Sequence, residues 1–575
     1  MLRVKDVTMR VFLAILALTA TLFVFDNSAP AQSQTTGDAH DLTVRGRVLN
    51  AATGEPITRA MVNIPGTNAA AFTDDRGQFE LKIRTQQTGN SGNGGTLVTR
   101  VGGGFVEARK LGFLQEERMP TSLPSSPANQ SSEVLIRLLP EAKIVGRITV
   151  PGSDGDVRIE SQLFRREMNA GRETWMPQRT FISWVDGEIR FSGLRPGTYK
   201  LITHEEMDRE LLATPGAQLY GYPPVYYSNT TDFSLATPIV VKAGETARVS
   251  LSVARKEYYP VRIPVESMAS GHRLNVTVYP TGHPSPGWSL GYDPREGAIT
   301  GLLPDGNYSV EANTAGEGEL TGTLNFSVKG KALEGPSLNL LPDAIVEVRV
   351  REEFQSSPSN FTTQEAVAEN AQRVSRRYSN VSVSLISLDD FNTPNHGLTS
   401  RLPEGSSGQE LTIPDVRPGR YQVQVYSGSG YPFSVQSGGK DLTRQPLVVG
   451  FGGEVPPIEV VLRDNGAQLN GTLDEDAPST PSVDGSVTTP PRFVYLLPMS
   501  EGGQPRNTQA WQGTFRFDQV APGTYLVLAF DRPRQDLPSG PGEAVQRLAS
   551  RGQVIQVEPA QQLNVRVKVT MSDSE

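Results

Sequence analysis

The sequence predicts an all-β chain, a tandem array of about five small antiparallel β-sandwich modules, and three observations carry that expectation. Gly 56 and Pro 43 occupy about one position in six of the 575 residues, above the roughly 12% of average usage yet below the 25 to 30% of low-complexity disorder. Turns are dense in a chain that still folds. Short runs of alternating apolar and polar residues lie between those turns, the signature of half-buried strands. One motif also returns about every 110 residues, and such a period sets one sandwich per copy.

The motif is a short alternating strand, a Pro-Gly or Asp-Gly turn, then a tyrosine and a second alternating strand. It reads GEIRFSGLRPGTY from Gly187 to Tyr199, GAITGLLPDGNY from Gly297 to Tyr308, LTIPDVRPGRY from Leu411 to Tyr421 and GTFRFDQVAPGTY from Gly513 to Tyr525. An earlier copy is partly kept in TDDRGQFEL from Thr73 to Leu81. Proline presets φ at the first turn position, glycine accepts an unusual φ at the next, and period-two alternation then resumes. The result is a hairpin corner. A tyrosine at such a corner can bury its ring while its hydroxyl reaches backbone.

A second signal marks the seams. LLPEAKIVGRI from Leu138 to Ile148 resembles LLPDAIVEVRV from Leu340 to Val350, with a looser version in VVLRDNGAQLNG from Val460 to Gly471. Each couples the last strand of one module to the first of the next across a few residues, so the modules sit head to tail on restricted hinges. Strand runs at Thr43 to Leu49, Phe79 to Ile83, Val134 to Leu138, Ile239 to Val241, Arg248 to Val253, Val276 to Tyr279, Val346 to Val350 and Leu563 to Val569 complete the pattern. The expected modules span 43–140, 141–254, 255–342, 343–463 and 464–571. The fourth carries an insertion at 352–377, in which Thr362 and Glu365 form a capping box for a short surface helix or a disordered run. Gly89 to Gly95 and Ala477 to Pro491 are flexible loops by composition.

The N-terminus reads as an export leader. Val11 to Phe25 is the one long apolar run, preceded by Arg3, Lys5 and Arg10 and followed by Ala29-Pro30-Ala31, so cleavage after Ala31 is expected, with 32–42 as a linker. As a helix the run rises about 22 Å, short of the roughly 30 Å hydrocarbon core. No transmembrane anchor is therefore expected after cleavage, and the mature chain is secreted, either periplasmic or extracellular. Cys 0 excludes disulfides, thiol catalysis, cysteine zinc sites and a lipoprotein anchor. Lys+Arg 54 against Asp+Glu 62 gives a net charge of -8 without a basic stripe, which excludes nucleic acid as a partner.

GRVLNAATGEPI from Gly46 to Ile57, AMVNI from Ala60 to Ile64 and the Thr73 to Leu81 stretch resemble the carboxypeptidase regulatory-like domain over about residues 43 to 140. Elsewhere the resemblance rests on the Gly-Leu-x-Pro-Gly-x-Tyr signature, and YPPVYYSN from Tyr222 to Asn229 is similar to a segment of secreted multi-module bacterial proteins of this group. The resemblance implies a prealbumin-like, Ig-like sandwich grouped with carbohydrate-binding-like folds. It also implies a non-catalytic accompaniment to metallocarboxypeptidases, or an array on envelope proteins.

The inventory of chemistry agrees with a non-enzyme, so no catalytic residue, metal ligand or cofactor site is assigned. The five histidines, His40, His204, His272, His283 and His396, are scattered, and no His-x-x-Glu pair supplies the ligands of an open zinc site. His204-Glu205-Glu206 reads as solvated loop residues. GWSLG from Gly287 to Gly291 matches the nucleophile-elbow string but lacks the strand and helix that chemistry needs. Asp74-Asp75-Arg76-Gly77 has the spacing of a tight turn rather than a calcium loop. Three functions stay open: an exported binding or spacing array of the envelope, a glycan-binding protein, and an enzyme with paired carboxylates assembled across the fold. The partner is an envelope protein or polysaccharide. Candidate ligand-binding residues are Tyr220, Tyr222, Tyr226 and Tyr227, because Pro223 and Pro224 stiffen this aromatic segment outside a central strand. The competing reading is that the same rings cap their own sandwich.

Overall fold

The computed structural model describes residues 40–570 apart from 66–67, 86–104, 116–120, 123–133, 153–157, 170–171, 185, 209–217, 267–272, 283, 315–318, 356–380, 389–397, 402–409, 453, 475–491, 501–504, 512, 535–536 and 539–541. The leader at 1–31, the loop 89–95, the run 362–377 expected as a short helix or as disorder, and the loop 477–491 lie outside the described residues.

The protein is all-β, and one pairing rule recurs five times along it. A first strand lies between an antiparallel partner and a parallel one that closes the unit. His40–Asn50 sits between Gln78–Thr85 and Val134–Pro140; Ala142–Thr149 between Glu188–Leu194 and Thr246–Ser252. Lys256–Glu266 sits between Ala298–Leu303 and the short Leu333–Glu334 and Leu338–Asn339. Ala344–Glu352 lies between Glu410–Val416 and Ile458–Arg463, and Ala467–Asp474 between Thr514–Val520 and Gln562–Thr570. In four units the parallel partner is the last strand, so the unit is closed by its own ends; in the third, Leu341–Pro342 follows it and pairs with Leu320–Val328.

After the antiparallel partner the chain turns the Pro-Gly corner into a second sheet. Gly197–Thr203, Gly306–Thr314, Gly419–Ser427 and Gly523–Phe530 are central strands there, each paired on both sides. Gly197, Gly419 and Gly523 take φ of 151°, 158° and 155°, a region closed to residues with a Cβ. Just upstream, Gly193, Asp415 and Gln519 have φ of 66°, 53° and 53° at the same place in three copies. There the register slips by one residue, a β-bulge that swings the strand toward the corner. The third unit keeps unbroken register at this point.

The corner tyrosines are buried, and three of their hydroxyls donate to the carbonyl four residues earlier: Tyr199 to Arg195 at 2.7 Å, Tyr308 to Pro304 at 3.0 Å and Tyr421 to Arg417 at 2.8 Å. Each ring belongs to the apolar core of its own unit, and Tyr525 does the same in the fifth. The first unit has a core around Val48, Ile64, Leu81 and Ile136. In the fifth unit the closing strand also pairs with Gly523–Phe530 at Ala529 and Phe530, so its two sheets run into one.

One α-helix is present among the described residues, Glu543–Leu548, which runs on into a 3-10 turn over Ala549–Arg551 and which sequence reading missed. Its cues are modest: Gly542 before it, Glu543 in the first turn and Arg547 in the last, joined by a 2.8 Å ion pair. Val545 anchors it to a side cluster with Tyr495, Leu526 and Phe530. No helix among the described residues is long and apolar enough to cross a membrane.

Candidate functional site

The aromatic segment singled out from sequence lies at the joint between the second and third units. Leu219–Tyr222 pairs antiparallel with the first strand of the third unit, Leu219 opposite Tyr258 and Gly221 opposite Lys256. Pro223 and Pro224 then end the pairing, since neither can donate to a ladder.

The four tyrosines divide by burial. Tyr222 is buried in the core of the second unit, and Tyr227 packs half-buried against that core. Tyr226 is fully buried, its ring edge-on to Phe233 at 5.8 Å, and its hydroxyl donates to the Pro286 carbonyl of the third unit at 3.0 Å. Burial pushes that hydroxyl up to about 12. Behind it the Lys200 ammonium lies over Phe233 and Trp175, at 4.6 and 4.9 Å, and donates to the Phe233 carbonyl at 2.7 Å. Tyr220 is half-buried, with the Arg255 guanidinium 4.0 Å from its ring centre. The segment thus presents no open aromatic face; its rings meet core, the neighbouring unit or an arginine.

The same joint draws in two strings that sequence reading kept apart. The Glu205 amide donates to the Gly287 carbonyl at 2.8 Å, placing His204-Glu205-Glu206 against GWSLG. The expectation of solvated loop residues is corrected for Glu205. Its Oε1 and the Tyr258 hydroxyl that faces it are both buried. Burial pushes the Glu205 carboxyl up to about 8, and outweighs the Tyr258 hydroxyl and the Ser289 amide, which favour the charged form. Tyr258 and Tyr308 are raised too, by burial first and by the Glu205 charge second. The tertiary contact decided this, because the covering residues come from another unit.

No triad results. Ser289 is exposed, the chain after it forms the strand Gly291–Asp293 rather than a helix, and His204 Nε2 is engaged with Gln162 Oε1 at 3.1 Å. Trp288 packs edge-on against Tyr308 at 5.4 Å. Asp74 is spent on its turn: Oδ1 accepts from the Arg76 and Gln78 amides at 2.9 and 2.7 Å. Among the described residues no group of three or more His, Asp or Glu could hold a metal.

Other seams use the corner residue four before the tyrosine. While the Arg195 carbonyl accepts from Tyr199, its guanidinium donates to the Gln115 carbonyl of the first unit at 2.8 Å. Arg417 repeats the arrangement toward the third unit, donating to Glu319 at 2.8 Å and lying 4.0 Å from Asp343. Asp343 is buried, which pushes its carboxyl up to about 6 against the pull of Thr321 and Arg417. One residue therefore both receives the corner bond and clamps the preceding unit.

No family model matches the chain, and no curated protein matches it. Among solved structures it is similar to the TIE protein of Bacillus anthracis at 10% identity, over 74% of this chain and 73% of that one, with a TM-score of 0.14. It is also similar to two B repeat units of the collagen-binding protein of Staphylococcus aureus, at 9% identity over 75% and 100% with a TM-score of 0.15. A third likeness is to BcpA, the major pilin subunit of Bacillus cereus, at 11% identity over 74% and 99% with a TM-score of 0.12. Likenesses at this level carry no statement about what the chain binds.

Proposed function

We propose that the chain is an exported, non-catalytic, multi-module protein that spaces and binds outside the cytoplasm, with modules at 43–140, 141–254, 255–342, 343–463 and 464–571. The observation that supports it is the construction of the seams. Strand pairing runs from Leu219–Tyr222 onto Lys256–Glu266, arginines clamp across corners, and buried groups meet between units. Such joints resist bending, as a spacer requires and as beads on flexible linkers do not. The first module is read as a carboxypeptidase regulatory-like sandwich on Gly46 to Leu81, and the partner as an envelope protein or polysaccharide.

Export and rigidity are tested together on protein recovered outside the cytoplasm. N-terminal sequencing is expected to find Gln32 first, and limited proteolysis to cut within 89–95, 355–377 and 477–491 before the seams. A retained apolar run, or cleavage at the seams ahead of those loops, would sink the proposal.

A further inference from the structure

We propose that the outer face of the fifth module's sheet binds a neutral oligosaccharide, with Trp511 as its stacking platform. This names a ligand for the binding role proposed above and rests on that reading for its location outside the cell. Three strands lie side by side there, Thr514–Val520, Ala467–Asp474 and Gln562–Thr570, with Arg516, Asn470 and Asn564 in register as one row and Thr514, Thr472 and Arg566 as the next. Alternation sends the intervening Phe515 and Val565 into the core. Gly471 completes that inner row, and the Phe515 ring covers it so closely that a Cβ would stand 2.0 Å from the ring. The floor is therefore rigid, and the outward face carries a grid of two amides, two hydroxyls and two guanidiniums.

Trp511 stands beside this grid at a hairpin end. Its amide and carbonyl exchange two 2.9 Å hydrogen bonds with Thr514, whose hydroxyl adds a third to the same carbonyl at 2.9 Å. The backbone is fixed while the residue stays 71% exposed. Together these groups line an open groove of about 850 Å³, which Gln509 borders with a further amide.

Chemistry selects the ligand. A pyranose has an apolar C–H face that lies on an aromatic ring and a rim of hydroxyls that both donate and accept, the match for Asn, Thr and Gln side chains. An apolar ligand would strip water from the polar grid without replacing its hydrogen bonds. A peptide strand would add at the edge of Thr514–Val520, the last strand of the sheet, and so would lie beside the outward face rather than across its grid. Anions are disfavoured because each guanidinium is already matched, Arg516 to Asp518 at 2.7 Å and Arg566 to Asp474. That leaves a neutral sugar chain.

The test is affinity electrophoresis of the full mature chain through gels holding neutral polysaccharides (mixed-linkage β-glucan, xylan, mannan) or uronate polymers (pectate, alginate). Retardation in at least one neutral gel is expected, weakened at least tenfold by Trp511→Ala, partly kept by Trp511→Phe and weakened by Asn564→Ala. Unchanged melting curves identify folded variants, and Asn564→Ala decides the matter if Trp511→Ala does not fold. No neutral gel retarding the wild type, retardation by uronates alone, or full retention in Trp511→Ala or in Asn564→Ala would each overturn the site. Such a failure leaves the exported spacer standing, because export and proteolysis are read separately; neutral-glycan binding by a chain that is not exported overturns the spacer reading instead.

Discussion

The joint at 219–227 and the groove beside Trp511 are built from the same kinds of residue, aromatic rings among hydroxyls, amides and carboxylates, and differ in what covers them. At the joint the third unit closes over the rings, so Tyr226 is fully buried and Glu205 is pushed up to about 8. On the fifth unit nothing described closes over Trp511, which stays 71% exposed beside an open polar grid. Aromatic density does not separate a joint from a binding face; the identity of the neighbour does. Stiffness is common to both, supplied by prolines in one case and by a doubly bonded hairpin end in the other.

The comparison breaks most visibly on the rings. Tyr226→Ala is expected to cost about 3 to 5 kcal/mol in thermal or denaturant unfolding, as for a large buried side chain, and to loosen the seam to protease. Tyr226→Phe keeps the packing and loses one hydrogen bond, about 1 kcal/mol. A cost below 1 kcal/mol for the alanine variant would mean that the joint is not closed.

The next effect is read by pH. An unfolded glutamate titrates near 4.5 and folded Glu205 at about 8, so the folded state holds its proton longer. No penalty exists below about pH 4.5, stability falls as pH rises from there toward 8, and the loss is complete above it. Asp343, pushed up to about 6, contributes in the same direction over a lower window. Between about pH 6.5, above which His204 with its lowered pKa no longer titrates, and pH 8 the slope among the described groups belongs to Glu205, and Glu205→Gln should flatten it and spare about 2 kcal/mol across that range. Equal slopes in the two proteins would place that carboxylate in water.

Smaller still, Tyr421→Phe removes the corner bond to Arg417 at 2.8 Å and is expected to cost about 1 kcal/mol. Smallest is Trp511→Ala, expected within about 0.5 kcal/mol of wild type because the ring is exposed, while sugar binding is lost. A large destabilisation there would make Trp511 a structural residue and erase the contrast with Tyr226.

Much of the fold was legible because its determinants are local. The Pro-Gly corner, the tyrosine after it and the alternating strands on either side are written within about fifteen residues of each other. Their recurrence exposes the repeat without knowledge of any contact. The bulges at Gly193, Asp415 and Gln519 were not legible as a set, since three different residue types hold the position and glutamine announces no positive φ. The helix Glu543–Leu548 is a little over one turn long, too short for a periodic signal.

By itself, then, the sequence determined an all-β array, its period, its corner chemistry and the lack of any cysteine, because each is a statement about composition or near neighbours. Only the tertiary structure decided which polar groups are dry. Glu205 and Tyr258 meet across a seam, Arg417 reaches Glu319 from 98 residues away, and Asn470 takes its place beside Asn564 through strand register. Charge state and ligand access depend on what lies across the interface. Local patterning shows which face of a strand turns inward, and pairing between distant segments settles which outward face is then covered.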